Sequence, residues 1–315
     1  MTGNSELMGV ILAAGKGRRI YPFSEKWPKS LLPVGNKSLL EFQIHMMRKV
    51  GIRQVLVVIG HYGFEIVKAL GNGHSLGVSI EYVDQKEALG IAHALGQLEP
   101  HIDRSFVLFL GDIYFVTTDL NPMLEAFSQE EVHAVLATKV EENPEAIKRN
   151  FAVIENQDGR VTRVIEKPRY TINNLKGCGL YVFDLHIFDA IRRTPRTALR
   201  DEYEITEAIQ VLINDGFGVR TANVIAEDIN ITFPHDLLRA NLVELKRQGK
   251  ERLVGKDVSV PNLNRVHHSV IGDRVTVKRD IGISHSVIFE QTLVEVESNL
   301  ERTIVTPERI IYCPE

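Results

Sequence analysis

The sequence of 315 residues predicts a doubly wound α/β domain followed by a short tail of repeating β-strands. One observation is that apolar runs such as V-L-V-V-I and F-V-L-F-L alternate with helical patterns over most of the chain. These runs lack polar alternation, which is typical of parallel strands covered on both faces. The other observation is that apolar residues near the end of the chain recur at a fixed spacing, which is typical of stacked coils.

The expected elements follow from these patterns in chain order. We predict strands and helices in alternation at Val10–Ala14, Leu39–Val50, Val55–Ile59, Phe64–Leu70, Ile80–Val83, Ile91–Leu98 and Phe106–Leu110. A strand-rich insertion follows at Ala134–Thr138, Ala152–Glu155, Val161–Glu166 and Gly179–Phe183, and then a helix at Asp236–Arg247. Parallel α/β sheets bind ligands beyond the carboxyl ends of their strands, so Gly15, Gln85 and Asp112 are expected to meet one ligand.

The tail from Val266 repeats every 17 residues. The repeating columns are Val266, Ile283 and Leu300; Val270, Val287 and Ile304; Ile271, Ile288 and Val305; and Val277, Val294 and Ile311. Because about 17 to 18 residues make one coil of a hexapeptide-type repeat, we predict a short left-handed β-helix. A plain antiparallel hairpin pair is the alternative. The predicted domains are residues 1–248 and 249–315, and an open end of the coils favours a homo-oligomer.

Composition excludes several classes of protein. The net charge of -4 argues against a nucleic-acid partner, since phosphate-backbone binding usually needs a basic excess. The two cysteines, Cys178 and Cys313, are too few for a disulfide framework and fit a reduced compartment. The first nine residues lack the apolar core of a signal peptide, and no apolar run reaches the ~18 residues of a membrane helix. We therefore expect a cytoplasmic protein that does not associate with membranes.

The stretch from Val10 to Pro33 contains most of the functional information. An apolar strand leads into a turn with Gly15 and Gly17, followed by Arg19 and, behind a proline, Lys29. Glycine at two turn positions lets a phosphate approach the backbone amides, and Arg and Lys supply charge for a polyphosphate. The turn matches neither the dinucleotide fingerprint nor the Walker pattern.

This stretch resembles the signature L-A-A-G-x-G-x-R followed by P-K of the sugar-1-phosphate nucleotidyltransferases, and is most similar to glucose-1-phosphate thymidylyl- and uridylyltransferases. The resemblance implies a Rossmann-like nucleotidyltransferase domain. It also implies that Arg19 and Lys29 are catalytic residues that hold the triphosphate. Further nucleotide contacts that it implies are Leu12, Ala13, Ala14, Gly15, Gly17, Gln85, Gly90, Ile91 and Gly111.

Two further elements resemble those of the family. The amide of Gln85 can pair with the N–H and carbonyl edge of thymine or uracil, and guanylyltransferases usually have another residue there. Asp112 ends the F-V-L-F-L strand, where the family presents a Mg²⁺ ligand. For the second ligand, alignment with D-I-G-x-P-x-D favours Asn230, whereas carboxylate chemistry favours Asp228, and both stay open.

The sugar-phosphate site is implied by the E-K-P element at Glu166. By resemblance, Glu166 accepts hydrogen bonds from sugar hydroxyls and Lys167 is catalytic, since it grips the phosphate. The other implied contacts are Asn174, Arg200 and the backbone amide of Ala152. The family usually has glycine at the position of Ala152, and the added methyl group leaves the identity of the hexose open.

The implied reaction joins dTTP or UTP to glucose 1-phosphate, giving an NDP-sugar and pyrophosphate. The sugar phosphate is already deprotonated, so no general base is required. A mannose-1-phosphate guanylyltransferase is the alternative within the class. A non-catalytic sugar-nucleotide-binding subunit is the alternative outside it, but such proteins lose charged active-site residues, whereas this chain keeps Arg19, Lys29, Asp112 and Lys167.

Overall fold

The computed structural model describes residues 7–117, 119–198 and 200–314. Its helices are α1 (Leu39–Lys49), α2 (Gly63–Leu70), α3 (Ile91–Gly96), α4 (Asn121–Phe127), α5 (Pro144–Lys148), α6 (His186–Arg193), α7 (Ile205–Asn214) and α8 (Pro234–Arg247). Of the helices in these ranges, none combines the length and the apolarity needed to cross a membrane. Residues 1–6, which belong to the segment examined for a signal peptide, lie outside the described residues.

The strands up to residue 230 are β1 (Met8–Leu12), β2 (Pro33–Val34), β3 (Lys37–Ser38), β4 (Gln54–Ile59), β5 (Ser79–Asp84), β6 (Phe106–Leu110), β7 (Ile113–Thr117), β8 (Val132–Val140), β9 (Phe151–Glu155), β10 (Val161–Glu166), β11 (Leu175–Phe183), β12 (Gly218–Ala222) and β13 (Ile225–Asn230). The tail contains β14 (Arg252–Val254), β15 (Val266–His267), β16 (Ser269–Ile271), β17 (Thr276–Val277), β18 (Ile283–Ser284), β19 (Val287–Ile288), β20 (Leu293–Val294), β21 (Leu300–Glu301), β22 (Thr303–Val305) and β23 (Ile310–Tyr312). Every strand and helix that the apolar patterns predict is present, within a few residues of its expected ends.

One large sheet organises most of the chain. Strands β5, β4, β1 and β6 lie side by side and pair in parallel. Strand β11 then pairs antiparallel with β6, and β8, β9 and β10 extend the sheet beyond it. The α/β prediction is confirmed, and the predicted strand-rich insertion joins this same sheet. Apolar residues of α3, α6 and α7 pack with the sheet in a single core cluster.

The chain forms two compact units that differ from the predicted boundary at residue 248. The first contains residues 1–16 and 43–228, and the second contains 17–42 and 229–315. Within the second unit, the early segment is bonded to later residues. The backbone N–H of Gly35 donates to Asn241 Oδ1 at 2.8 Å, and Asn241 Nδ2 donates to the carbonyl of Pro33 at 2.9 Å. The segment 17–42 therefore belongs structurally with α8 and the tail.

The tail consists of parallel strands stacked at the predicted spacing. Val266 pairs with Ile283 and Ile283 with Leu300, while Ile271 pairs with Ile288 and Ile288 with Val305. The stacked residues of these columns are buried in one apolar core cluster. The parallel pairing agrees with a short β-helix and not with a pair of antiparallel hairpins.

One repeating column ends earlier than the spacing predicts. Val277 pairs with Val294, but Ile311 lies in β23, which runs antiparallel to β22 opposite Ile304. The chain reverses at Thr306, whose backbone N–H donates to the carbonyl of Arg309 at 2.9 Å. This reversal lets the chain cover the edge of β22 with its own last strand, which a fixed period could not reveal.

A buried ladder of hydroxyl groups links successive coils. Ser269, Ser286 and Thr303 are also 17 residues apart, and each is 0% exposed. The backbone N–H of Ser286 donates to Ser269 Oγ at 3.0 Å, and that of Thr303 donates to Ser286 Oγ at 3.1 Å. The hydroxyls of Ser269 and Ser286 thus each satisfy an amide that the interior of the coil would otherwise leave unpaired, and the hydroxyl of Thr303 donates to the carbonyl of Glu301 at 2.7 Å.

We expect Ser286→Ala to destabilise the protein by about 1–3 kcal/mol, because the buried N–H of Thr303 loses its acceptor. Denaturant unfolding followed by circular dichroism measures this change. Ser298→Ala, at an exposed position of the same tail, is the matched control and should shift stability by less than about 0.5 kcal/mol. Equal stabilities of the two variants would contradict the ladder.

Candidate active site

The carboxyl ends of parallel strands bring predicted nucleotide contacts to one edge of the sheet. The backbone N–H of Gly111, after β6, donates to the carbonyl of Leu12, at the end of β1, at 2.9 Å. A Cβ at Gly111 would lie 2.7 Å from that carbonyl oxygen, so only glycine fits. Gln85 follows β5 and donates its backbone N–H to Ile59 at 2.8 Å. Leu12, Gln85 and Gly111 therefore lie on the same edge, as their positions in the sequence predict.

A residue that sequence reasoning missed holds the turn that contains Asp112. Gln43, on α1, is 1% exposed. Its Nε2 donates to the carbonyls of Leu110 at 2.9 Å and Ile113 at 3.0 Å, on either side of Gly111-Asp112. The available signal was a glutamine on the apolar face of a helix, since a buried amide needs partners.

Gln85 and Gly90 contact the protein itself in ways the sequence did not predict. Gln85 Nε2 donates to the carbonyl of Glu87 at 2.8 Å. Gly90 has a φ of 115°, and a Cβ there would lie 2.4 Å from the carbonyl oxygen of Tyr203. Tyr203 in turn donates its N–H to Leu89 at 2.8 Å. The close approach that requires glycine at position 90 is therefore an approach to protein backbone.

Three predicted sugar-phosphate contacts lie together, with Lys167 and Arg200 beside the carboxylate of Glu166. Arg200 Nη1 donates to Glu204 Oε1 at 2.9 Å and to Glu166 Oε1 at 3.3 Å. Lys167 Nζ lies 3.8 Å from Glu166 Oε1, and Thr206 Oγ1 donates to Glu166 Oε2 at 3.3 Å. Burial, reinforced by Glu204, raises the pKa of Glu166, while Lys167 and Arg200 oppose the increase. The cluster joins two cations to a carboxylate that accepts hydrogen bonds.

The remaining two sugar contacts are placed differently from each other. Ala152 is 1% exposed and lies between Ile165 of β10 and Lys176 of β11, so it offers almost no surface to a ligand. Asn174 is exposed, whereas its neighbour Asn173 donates through Nδ2 to the carbonyl of Val153 at 2.6 Å. The side-chain oxygen of Asn173 is buried and has no donor among the residues that the structure describes. The Asn-Asn doublet gave no signal as to which side chain points inward.

The carboxylate of Asp228 is occupied by a buried ion pair. Lys176 Nζ lies 2.6 Å from Asp228 Oδ1, and each side chain is 4% exposed. Burial by itself would lower the pKa of Lys176, but Asp228 raises it above the usual value, so the ammonium stays charged. Removing one partner of such a pair leaves an uncompensated buried charge.

The second unit contains the catalytic candidates Arg19 and Lys29. Gly17, with a φ of 59°, begins the short 3-10 helix Arg18–Ile20, in which Arg19 is exposed. Lys29 Nζ donates to Asn230 Oδ1 at 3.1 Å, and Thr232 Oγ1 donates to the same oxygen at 3.3 Å. Asn230 thus presents an amide oxygen that cationic and hydroxyl donors already share.

Aromatic packing attaches this loop to the tail within the second unit. Phe23, which is 0% exposed, stacks on Phe289 with ring centroids 5.5 Å apart. Trp27 meets the same ring edge-on at 5.6 Å. The sequence does not reveal that the tail packs against this loop, because these contacts join residues far apart in the chain.

Polar contacts from the turn before β23 supplement the packing. Arg309 donates to Tyr21 Oη at 3.0 Å and to Glu25 Oε2 at 3.1 Å, and Lys26 forms an ion pair with Glu308. These ionic side chains are about half exposed, and ion pairs of this kind contribute only about 0–1 kcal/mol each. The aromatic contacts are therefore the main attachment.

Comparisons with known proteins show which family this sequence matches. Residues 8–227 match the profile of the nucleotidyl transferase family. The low-salt glycan biosynthesis nucleotidyltransferase Agl11 of Haloferax volcanii is 36% identical over 258 residues, which cover 81% of this chain and 71% of that protein. The UTP–glucose-1-phosphate uridylyltransferase AglF of the same organism is 34% identical over 230 residues, which cover 73% of this chain and 93% of that protein.

A solved structure gives the same result. It is described as a candidate glucose-1-phosphate thymidylyltransferase from Bacillus anthracis in complex with sucrose. The match has a TM-score of 0.67 at 28% identity and covers 75% of this chain and 94% of that chain. The likeness therefore extends over most of the α/β fold that places the site residues.

We expect Gln43→Leu to lower the rate of nucleotidyl transfer on the order of 10- to 100-fold, because displacement of a catalytic group by about 1 Å has effects of that size. Leucine fills a similar volume but removes both hydrogen bonds that Gln43 Nε2 donates, so circular dichroism is used first to check that the variant folds. A titration with divalent metal during turnover should show a weaker apparent metal affinity. Gln129→Leu, at an exposed position, is the control, and an unchanged metal dependence of Gln43→Leu would refute the assignment.

Phe289→Ala should raise the KM for the nucleoside triphosphate by about tenfold or more, because deletion of a buried phenyl ring costs about 3–5 kcal/mol of packing that fixes the loop. Arg309→Ala should change this KM less than about threefold, given the low value of exposed ion pairs. Phe289→Leu keeps an apolar contact and serves as the matched control. A larger effect of Arg309→Ala than of Phe289→Ala would show that charge, and not packing, holds the loop.

Proposed function

The chain belongs to the nucleotidyl transferase family, and from this membership we propose that it transfers a nucleotidyl group from an NTP to a sugar 1-phosphate. The products are an NDP-sugar and pyrophosphate. The observation that carries the proposal is the cluster of Glu166, Lys167 and Arg200, which offers two cations to a phosphate and a carboxylate to hydroxyl groups. A sugar 1-phosphate presents both kinds of group on one small molecule.

We favour dTTP or UTP as the nucleotide and glucose 1-phosphate as the sugar. Relatives of this chain carry the names glucose-1-phosphate uridylyltransferase and glucose-1-phosphate thymidylyltransferase. Gln85 follows a strand on the nucleotide edge and has an amide suited to thymine or uracil. No contact among the residues that the structure describes favours guanine with mannose 1-phosphate. The charged residues Arg19, Lys29, Asp112 and Lys167 support turnover over a purely binding role.

We propose that Asp112 holds a divalent metal, Mg²⁺ by preference, and we keep Asn230 and Asp228 as the two candidates for a second ligand. A carboxylate oxygen and an amide oxygen are hard donors, the type that Mg²⁺ selects together with phosphate oxygens. Each candidate for the second ligand already has a lysine partner, since Lys176 pairs with Asp228 and Lys29 donates to Asn230. When bound, the metal would neutralise charge on the nucleotide phosphates.

The chemistry that the chain itself supplies is positioning and charge neutralisation. Lys167 and Arg200 bind the sugar phosphate and reduce the repulsion between two anionic reactants. A phosphate oxygen of the sugar then attacks the α-phosphorus in line, and the bond from that phosphorus to the pyrophosphate oxygen breaks. Arg19 and Lys29 neutralise the charge that develops on the leaving pyrophosphate. No group has to remove a proton, because the attacking oxygen is already ionised.

The hexose is held by hydrogen bonds from residues around the same cluster. Glu166 accepts from hydroxyl groups, and Asn174, whose side chain is exposed, is the other candidate sugar contact. The side-chain oxygen of Asn173 is buried, so we do not include it among the sugar contacts.

Pyrophosphate release with Mg²⁺ tests the proposal directly. The triphosphates dTTP, UTP, GTP, CTP and ATP are each assayed against the 1-phosphates of glucose, mannose, galactose and N-acetylglucosamine. We expect release with dTTP or UTP, and a loss of several orders of magnitude in Arg19→Ala and Asp112→Ala. Lys68→Ala, at an exposed position on α2, is the control. Silence across all combinations, or normal turnover in both active-site variants, would overturn the proposal.

The raised pKa of Glu166 predicts a pH dependence of sugar-phosphate binding. The carboxylate takes up its proton at a higher pH than an ordinary glutamate. On acidification, the KM for the sugar phosphate should therefore begin to rise at a higher pH than it would with an ordinary glutamate. Glu166→Gln should have a higher KM at neutral pH and lack this additional dependence. Because the substrate phosphate itself ionises near pH ~6, the ratio of variant to wild-type KM is the readout. A ratio that is constant from neutral to acid pH would contradict the role of Glu166.

A further inference from the structure

A group of metal-ligating side chains lies at the opposite edge of the large sheet from the nucleotide contacts. His133 is at the start of β8, and Asp184 follows β11 directly. Phe183, at the end of β11, is in register with Phe106 at the start of β6, so this edge carries the amino ends of the parallel strands. His186 begins α6 at the same place. The nucleotidyl transfer assigned above does not use this group.

The three side chains converge on one point. His133 Nδ1 lies 2.7 Å and His186 Nδ1 lies 2.9 Å from the same oxygen, Asp184 Oδ2. All three atoms lie within 4.8 Å of one another. Among the residues that the structure describes, these three form the group of His, Cys, Asp or Glu side chains that is arranged closely enough to hold a metal ion. Separations of this size are close to those between neighbouring ligands around a metal with bonds of about 2.0–2.2 Å.

The surroundings fix the orientation of each ligand. Asp184 Oδ1 accepts the backbone N–H of His186 at 3.0 Å, which turns Oδ2 toward the imidazoles. The backbone N–H of Asp184 donates to the carbonyl of His133 at 3.1 Å. The ring of Phe217 packs against both imidazoles, with centroid distances of 4.8 Å to His133 and 4.6 Å to His186. Support of this kind reduces the ordering that binding would otherwise require.

We propose that His133, Asp184 and His186 form a binding site for a divalent transition-metal ion, with Zn²⁺ as the preferred ion. Two imidazole nitrogens and one carboxylate oxygen suit Zn²⁺ and its neighbours, whereas Mg²⁺ prefers oxygen ligands throughout. The side chains of His133, Asp184 and His186 are 26%, 21% and 45% exposed, so water can complete the coordination. On binding, each neutral imidazole carries its hydrogen on Nε2 and presents Nδ1 to the ion.

Such an ion would join three separate elements of the first unit. It would link the start of β8, the end of β11 and the start of α6 through a single centre. Only the folded chain holds the three ligands together, so the ion should bind the folded chain and not the unfolded one. Binding should therefore raise the unfolding temperature. The site is thus inferred to be structural and separate from the Mg²⁺ site of the reaction.

Calorimetric titration of the untagged full chain with ZnCl₂, in excess Mg²⁺ to occupy the nucleotidyl site, tests the proposal. We expect one Zn²⁺ per chain, affinity at least tenfold weaker in His186→Ala, and none detectable in the double variant His133→Ala/His186→Ala. His101→Ala is the matched control, because His101 Nδ1 pairs with only one carboxylate, Glu81 Oε1 at 3.0 Å. Zn²⁺ should raise the unfolding temperature of the wild type and of His101→Ala, but not of the double variant.

A readout on the wild type avoids dependence on variants that fail to fold. Co²⁺ in place of Zn²⁺ should give visible d–d absorption that Zn²⁺ then abolishes at one equivalent. Absence of Zn²⁺ binding by the wild type would overturn the proposal and leave a hydrogen-bonded cluster that caps α6. Equal affinities of the wild type and a folded double variant would overturn it as well, by placing the ion elsewhere.

Discussion

The packing of Phe23 and Trp27 on Phe289 is the interaction on which the proposed phosphate chemistry depends. The loop of residues 17–29 carries exposed cations, and its aromatic side chains Phe23 and Trp27 need an apolar partner to hold the loop in one shape. The tail supplies that partner, because its stacked coils bury an apolar core and present Phe289 to the loop. The loop that carries Arg19 and Lys29 is therefore positioned mainly by the packing of uncharged aromatic rings. Since β23 closes the last coil, the same tail brings Arg309 and Glu308 to the loop.

Charge is handled in two different ways around the large sheet. Lys176 and Asp228 neutralise each other in a buried pair and have little exposed surface for a ligand. Glu166, by contrast, shares Arg200 with Glu204 and lies 3.8 Å from the ammonium of Lys167, which is about half exposed and can therefore meet an incoming phosphate. Burial and the nearby Glu204 raise the pKa of Glu166, while Lys167 and Arg200 oppose the increase. The first pair stabilises structure, whereas the second arrangement suits a substrate that brings its own negative charge.

The fold was largely predictable from the sequence, and the site was predictable in part. Strands buried on both faces are nearly pure apolar runs, so the local sequence is enough to predict β4 and β6. The 17-residue period predicts the register of the tail strands. Ile311 broke the pattern because a turn at Thr306 reverses the chain, and a period does not show where a chain turns back. Local motifs predict Glu166 and Arg200 as site residues, and the structure places these two side chains in contact. They do not indicate the contacts of Gln43 or of Phe289, because each depends on partners distant in sequence and on which way a side chain points.

The central claim is that transfer proceeds by one direct displacement, which charge neutralisation supports and in which no residue acts as nucleophile. The most direct test is the stereochemical course of the reaction at the α-phosphorus, followed by ³¹P NMR with a triphosphate that carries a single sulfur at that position. One in-line attack by the sugar phosphate predicts an NDP-sugar with inverted configuration. Retention of configuration would reveal a covalent nucleotidyl-enzyme intermediate and would contradict this account.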